Sequence, residues 1–176
     1  AYNELAYSVT IEDNYESGSN KNSLLNNCIL NTIRLVEQNG DKVNTNFNIV
    51  LNDNNQFEYA VSDAKLLRFL ADIYGHKSAD DLLTDERNAT PLDVIEYLCS
   101  KDKYAIGQNE DSHGTIKFNP MRGYTNEEIL KIITIRYLMS TNAYQKYVTT
   151  VIASDVSPET VAAIMENRAD LQGVNI

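Results

Sequence analysis

Residues Tyr144 to Ile176 read Y-Q-K-Y-V-T-T-V-I-A-S-D-V-S-P-E-T-V-A-A-I-M-E-N-R-A-D-L-Q-G-V-N-I, and the rest of the chain is organised around them. Lys146 to Asp155 carries a β-branched run between polar residues, which predicts a strand with at least one buried face. Ser157 offers a hydroxyl to the orphan amides of a helix starting at Pro158, where the missing N–H costs nothing. Val161, Ile164, Met165 and Arg168 share one side of that helix, so it is expected to lie on something. Gly173 stops it, and Val174 to Ile176 leave as a second extended piece.

Working outward, Leu5 to Ile11 alternates, with Leu5, Tyr7, Val9 and Ile11 on one face, and predicts a half-buried strand. Glu12 to Lys21 is polar and reads as a loop. Ser23 to Gln38 recurs at helical spacing through Leu25, Ile29, Ile33 and Val36 and ends at Asn39-Gly40. Phe47 to Leu51 and Gln56 to Val61, joined by Asn52-Asp53-Asn54-Asn55, predict a hairpin. Ser62 is expected to cap a helix over Asp63 to Tyr74, stopped by Gly75. Ser78 precedes a short acidic helix, Ala79 to Leu83. Thr90-Pro91-Leu92-Asp93 sets a cap, an N1 proline and a first-turn acid for a helix to about Ser100.

Lys101 to Gly123 shows no periodicity and reads as a long loop. Thr125-Asn126-Glu127-Glu128 is a capping box ahead of a helix from Asn126 to about Ser140 that buries Ile129, Ile132 and Ile133, with Arg136 or Tyr137 next in turn. The expected fold class is α+β: a small mixed or antiparallel sheet, packed helices, and a helical insert subdomain at about 62–123.

The chain has 176 residues, 43% of them hydrophobic, enough for a single core. Its formal charge of -10, with Lys and Arg scattered, excludes nucleic acid as a partner, because a phosphate backbone would be repelled. No apolar stretch approaches the ~20 residues needed to cross a bilayer. The chain begins at Ala1, just ahead of a strand and without an initiator Met, which reads as an excised fragment whose anchor lies upstream. Cys28 and Cys99 form no C-x-x-C and have no histidine at ligand spacing, so zinc and redox readings fall away. Cys28 falls with Leu24, Leu25 and Leu35, and Cys99 with Leu92, Ile95 and Leu98. Buried free thiols are expected, with a disulfide as the alternative in an oxidising compartment.

The segment S-D-V-S-P-E-T-V-A-A-I-M-E-N-R-A-D-L-Q-G-V-N-I resembles the one that closes the pedestal, or dimerisation, domain of class B penicillin-binding proteins. Leu5-Ala6-Tyr7-Ser8-Val9-Thr10-Ile11 is similar to the strand that follows the membrane anchor in that family. Y-G-H-K-S-A-D-D-L-L, A-T-P-L-D-V-I-E-Y-L-C and I-R-Y-L-M-S-T-N-A-Y-Q-K-Y resemble the helical insert and long helix of Gram-positive members. The resemblance implies a non-catalytic pedestal that carries its own transpeptidase domain and docks a SEDS-type glycan polymerase, elongation or division complex proteins, or a second copy of itself. It also implies an extracytoplasmic location, a membrane helix upstream, and no cofactor.

Residues that suggest chemistry are few. Ser100-Lys101-Asp102-Lys103 satisfies S-x-x-K, and Ser140-Thr141-Asn142 satisfies S-x-N, but Ser100 falls at the end of a helix rather than its start and no K-T-G completes the set. His76 follows Gly75 at a helix end, where a cation complements the dipole; His113 stands apart. The pair Glu127 and Glu128 reads as capping, and Glu110 with Asp111 as a solvated loop with cation gathering as the alternative. Tyr137, Tyr144 and Tyr147 flank the junction between the long helix and the next strand, and with Glu159 are the candidate interface residues; core-edge packing is their alternative role. Two further readings are a free-standing extracytoplasmic ligand-binding or adaptor domain with a pocket under 101–123, and an acyl-enzyme using Ser100 and Lys103.

Overall fold

A computed structural model describes residues 5–143 and 148–176. The elements are β1 (Val9–Ile11), α1 (Lys21–Gln38), β2 (Ile49–Leu51), β3 (Phe57–Tyr59), α2 (Asp63–Ile73), α3 (Thr84–Arg87), α4 (Pro91–Cys99), β4 (Gly107–Ser112), β5 (Thr115–Pro120), α5 (Asn126–Asn142), β6 (Thr150–Ala153), α6 (Pro158–Glu166) and β7 (Val174–Asn175). The fold is α+β, and every pairing among the described strands is antiparallel. Two compact units result, one from residues 1–45 with 131–176, the other from 46–130.

The first unit is built on a three-stranded sheet in the order β6-β1-β7. Its central strand comes from the start of the chain and both neighbours from the end, Ile11 pairing with Thr150 on one side and Val174 on the other. Val9, Ile11, Ile152, Ala153 and Val174 are buried there. On α1 the residues Leu25, Cys28, Ile29, Thr32, Ile33 and Val36 recur every three or four positions, so one stripe is buried. On α5 the run Ile132, Ile133, Thr134 and Ile135 is buried all round, as in a helix enclosed on several sides. Arg136 of α5 donates to Asn26 Oδ1 at 2.5 Å and Asn22 Oδ1 at 2.7 Å on α1, and Lys131 pairs with Glu37 at 2.7 Å.

The expected N-terminal strand is shorter than its alternation suggests. Leu5 is 81% and Tyr7 41% exposed, because pairing on both sides begins only at Thr10, and before Val9 the Tyr7 carbonyl receives just the Val156 amide, at 3.0 Å. The terminal helix ends at Glu166 and a separate 3-10 turn, Arg168–Asp170, leads to Gly173. Its buried line runs through Thr160 and Ile164, with Met165 turned outward at 55% exposure.

The second unit holds two hairpins and three helices. In the first hairpin Asn52 Oδ1 accepts the amides of Asn54 and Gln56 at 2.9 and 3.0 Å, bonding its own turn as the sequence predicts. Phe47 meets Phe69 of α2 edge-on at 5.4 Å between ring centres. The Ser62 hydroxyl does not cap α2; Asp63 takes φ 54°, which turns the chain into the helix by another route. Thr90 and Asp93 form the reciprocal box at 3.1 and 2.9 Å, and Thr125 and Glu128 do the same at 3.1 and 2.9 Å.

The segment read as a loop, 101–123, is largely a hairpin: six residue pairs join β4 to β5, from Gly107 with Pro120 to Ser112 with Thr115. Its two-residue turn is His113-Gly114, with φ of 55° and 80°, the doubly positive geometry that matches strand twist. Alternation is hidden because β4 is polar on both faces.

Candidate functional site

The two ends of the first unit are locked by a cluster on Asp41. Its carboxylate accepts the Ser157 amide at 2.9 Å, the Ser157 hydroxyl at 2.8 Å and the Thr160 hydroxyl. These donors, the Thr160 hydroxyl foremost, hold the Asp41 carboxyl below the usual carboxylate range. Ser157 also accepts the Thr160 amide at 3.3 Å, so the S-P-E-T sequence caps its own helix while gripping the turn after α1. Sequence reading found the cap but not Asp41, which lies 116 residues away from Ser157.

A second lock sits at the glycine exit. The Glu12 amide donates to the Gly173 carbonyl at 3.0 Å, and Gly173 takes φ +83°. A Cβ there would lie 2.3 Å from the Glu12 carbonyl oxygen, so only glycine allows the approach. The Tyr15 hydroxyl donates to the Gln172 carbonyl at 2.8 Å, and Gln172 Nε2 reaches the Asn14 carbonyl at 3.1 Å.

Residues that suggested chemistry occupy structural positions. The Ser100 hydroxyl donates to the Tyr97 carbonyl at 2.7 Å at the C-terminal cap of α4, and the Lys103 ammonium lies 5.0 Å from the centre of the Tyr97 ring. The Ser140 hydroxyl likewise donates back to Tyr137 at 2.6 Å within α5. His76 closes the end of α2, its amide donating to the Ala71 carbonyl at 2.8 Å, while its ring Nε2 lies 2.6 Å from Glu86 Oε1 of α3. Glu86 also accepts the Leu83 amide at 2.8 Å, and that bond first, His76 second, lowers its carboxyl below the usual range. His113 forms the tip of the β4–β5 turn. Glu110 is bound to Arg122 at 2.8 Å and to the Asn119 amide at 2.8 Å, while Asp111 is exposed. Among the described residues, no three His, Cys, Asp or Glu side chains form a group that could hold a metal ion, and no helix is long and apolar enough to cross a membrane.

Both cysteines are free and buried. Burial pushes the Cys99 thiol up to about 12 and raises that of Cys28, whose Sγ donates to the Gln172 carbonyl at 3.5 Å. Of the residues expected beside them, Leu25, Ile95 and Leu98 are buried on the same helices, whereas Leu24 and Leu92 are 50% and 46% exposed. Of the candidate interface residues, Tyr137 is half-buried on α5 and Glu159 is exposed in the first turn of α6. Tyr144 and Tyr147 lie outside the described residues.

The Ser157 and Ser100 hydroxyls and the Asp41 carboxylate cap helices and tie elements together, in a small α+β module whose first and last strands share one sheet. The chain belongs to the penicillin-binding protein dimerisation domain family, whose profile matches residues 1–176. That family is a non-catalytic domain of penicillin-binding proteins. A comparison with curated proteins found no match.

Proposed function

We propose that this chain is the pedestal of a class B penicillin-binding protein of Gram-positive type, and that its work is mechanical and associative. It positions a D,D-transpeptidase domain at the extracytoplasmic face of the membrane, held by an upstream membrane helix. It docks cell-wall synthesis partners: a SEDS-type glycan polymerase, elongation or division complex proteins, or a second copy. The family match over the whole chain carries this reading. The Asp41 and Gly173 locks support it, since a spacer that transmits position has to be stiff where its ends meet.

The genomic reading frame tests the proposal. A membrane span before Ala1, with S-x-x-K, S-x-N and K-T-G in a domain after Ile176, is the expected result. A frame without those catalytic motifs overturns it. Fluorescent penicillin supplies the biochemical arm: the full-length product takes up label, and Ser100→Ala leaves that labelling unchanged.

A further inference from the structure

No residue of β4 or β5 is buried, and the hairpin lies mid-chain within the second unit. Two strands alone make a marginal sheet, and this pair carries its own braces. Glu110 is held by Arg122 and by Asn119, each at 2.8 Å, and a Cβ on Gly123 would lie 2.2 Å from Gln108 Nε2, so that side chain rests on the glycine. The Met121 amide donates to the Ile106 carbonyl at 2.8 Å, which makes Ile106 and Met121 a hydrogen-bonded pair. Antiparallel alternation then bonds Gln108 with Asn119, Glu110 with Lys117 and Ser112 with Thr115, and turns the amides and carbonyls of Asn109 and Asp111 outward from β4 and those of Ile116 and Phe118 outward from β5. The two edges are unequal. On β5 Pro120 has no N–H and Phe118 is half-buried, whereas on β4 both Asn109 and Asp111 are exposed and, among the described residues, their outward main-chain groups meet no partner.

The open edge is also the acidic one. Arg122 neutralises Glu110, but Asp111 has no cationic partner among the described residues. On a chain of net charge -10, an unneutralised carboxylate beside unmet donors and acceptors selects for a basic ligand. We propose that β4 takes up an extended basic segment of a partner protein as a third strand of this hairpin. The segment bonds the main chains of Asn109 and Asp111 and sets a Lys or Arg against the Asp111 carboxylate. Main-chain bonds supply affinity, the carboxylate supplies choice of sequence, and the added strand gives the sheet the width that two strands lack. The inference rests on the docking role proposed above, to which it gives a place and a chemistry.

The test is an amide-shift titration of the isotopically labelled 176-residue chain with a synthetic peptide alternating Thr and Lys, beside its Thr and Glu counterpart. Shifts centred on Asn109 and Asp111 are expected with the basic peptide. Asp111→Lys weakens that peptide about tenfold and strengthens the acidic one, the reversal expected of a specific charge contact. Asn109→Pro removes an outward N–H at an edge position where proline is tolerated, and weakens the basic peptide about tenfold while the cross-strand contacts of Glu110 with Lys117 persist. Ile116→Ser, on the other strand, leaves the affinity unchanged; a loss there puts the ligand on β5 and overturns the proposal. Unchanged affinity of Asp111→Lys or of Asn109→Pro for the basic peptide also overturns it, as does absence of binding. Binding mapped to another surface does the same, yet leaves the docking role standing; the reading frame decides that role separately.

Discussion

The Asp41 carboxylate receives both the amide and the hydroxyl of Ser157, at 2.9 and 2.8 Å, so one side chain after α1 fixes the start of α6. Replacing it by Asn keeps the size and removes the charge. Asp41→Asn is expected to cost about 1–2 kcal/mol, the range for a helix cap and a charge-assisted bond, read as a fall in the urea midpoint at pH 7.

The same carboxylate predicts a pH dependence. Its folded pKa is depressed, so its contribution is complete above the unfolded value of about 3.9 and is lost as pH falls through the lower folded value. Between pH 5 and pH 2 the native chain should lose more stability than Asp41→Asn does. Parallel curves for the two proteins would show that Asp41 is not the group responsible.

Gly173 and Gly40 make a matched pair. Both have positive φ, +83° and +85°, but a Cβ at Gly40 meets nothing within 4 Å, whereas one at Gly173 meets the Glu12 carbonyl oxygen at 2.3 Å. Gly40→Ala should cost about 1 kcal/mol from backbone strain alone. Gly173→Ala should cost upwards of about 2 kcal/mol, with faster hydrogen exchange at the Glu12 amide.

In the second unit the Tyr59 hydroxyl donates to the Ala89 carbonyl at 2.6 Å while its ring packs edge-on against Phe69. Tyr59→Phe keeps the ring contact and strands the carbonyl, so a loss of about 1–2 kcal/mol is expected, measured by thermal melting.

Thiol reactivity checks the two cores independently. Burial raises both thiols, and Cys99 is fully buried while Cys28 is 5% exposed. At pH 8 the native chain should react with a disulfide reagent slowly at Cys28 and more slowly still at Cys99, and both should react at once in denaturant.

Short-range grammar was legible in the sequence. Ser157-Pro158, the Thr90 and Thr125 boxes and the Asn52 turn all depend on residues within four positions, and each forms as read. The β4–β5 hairpin escaped because Gln108 to Ser112 offers no apolar member to set a period; its one signal was the His113-Gly114 turn. Ser62 failed as a cap because Asp63 adopts a positive φ that local propensity does not announce. Asp41 was illegible for another reason: nothing near it in sequence says that its partners are Ser157 and Thr160. Among the candidate interface residues, Glu159 and Tyr137 were placed on the right elements, a helix start and a long helix, because capping and periodicity fix those positions.

Because β1 is flanked on both sides by strands that follow α5, the first unit cannot finish folding until the chain through Asn175 has been delivered. Residues 46–130 contain their own pairings and are able to settle early, whereas β1 must wait for β6 and β7. A chain released vectorially would thus hold a finished middle between two unmatched ends, and would stay open to proteases until Val174 and Asn175 arrive.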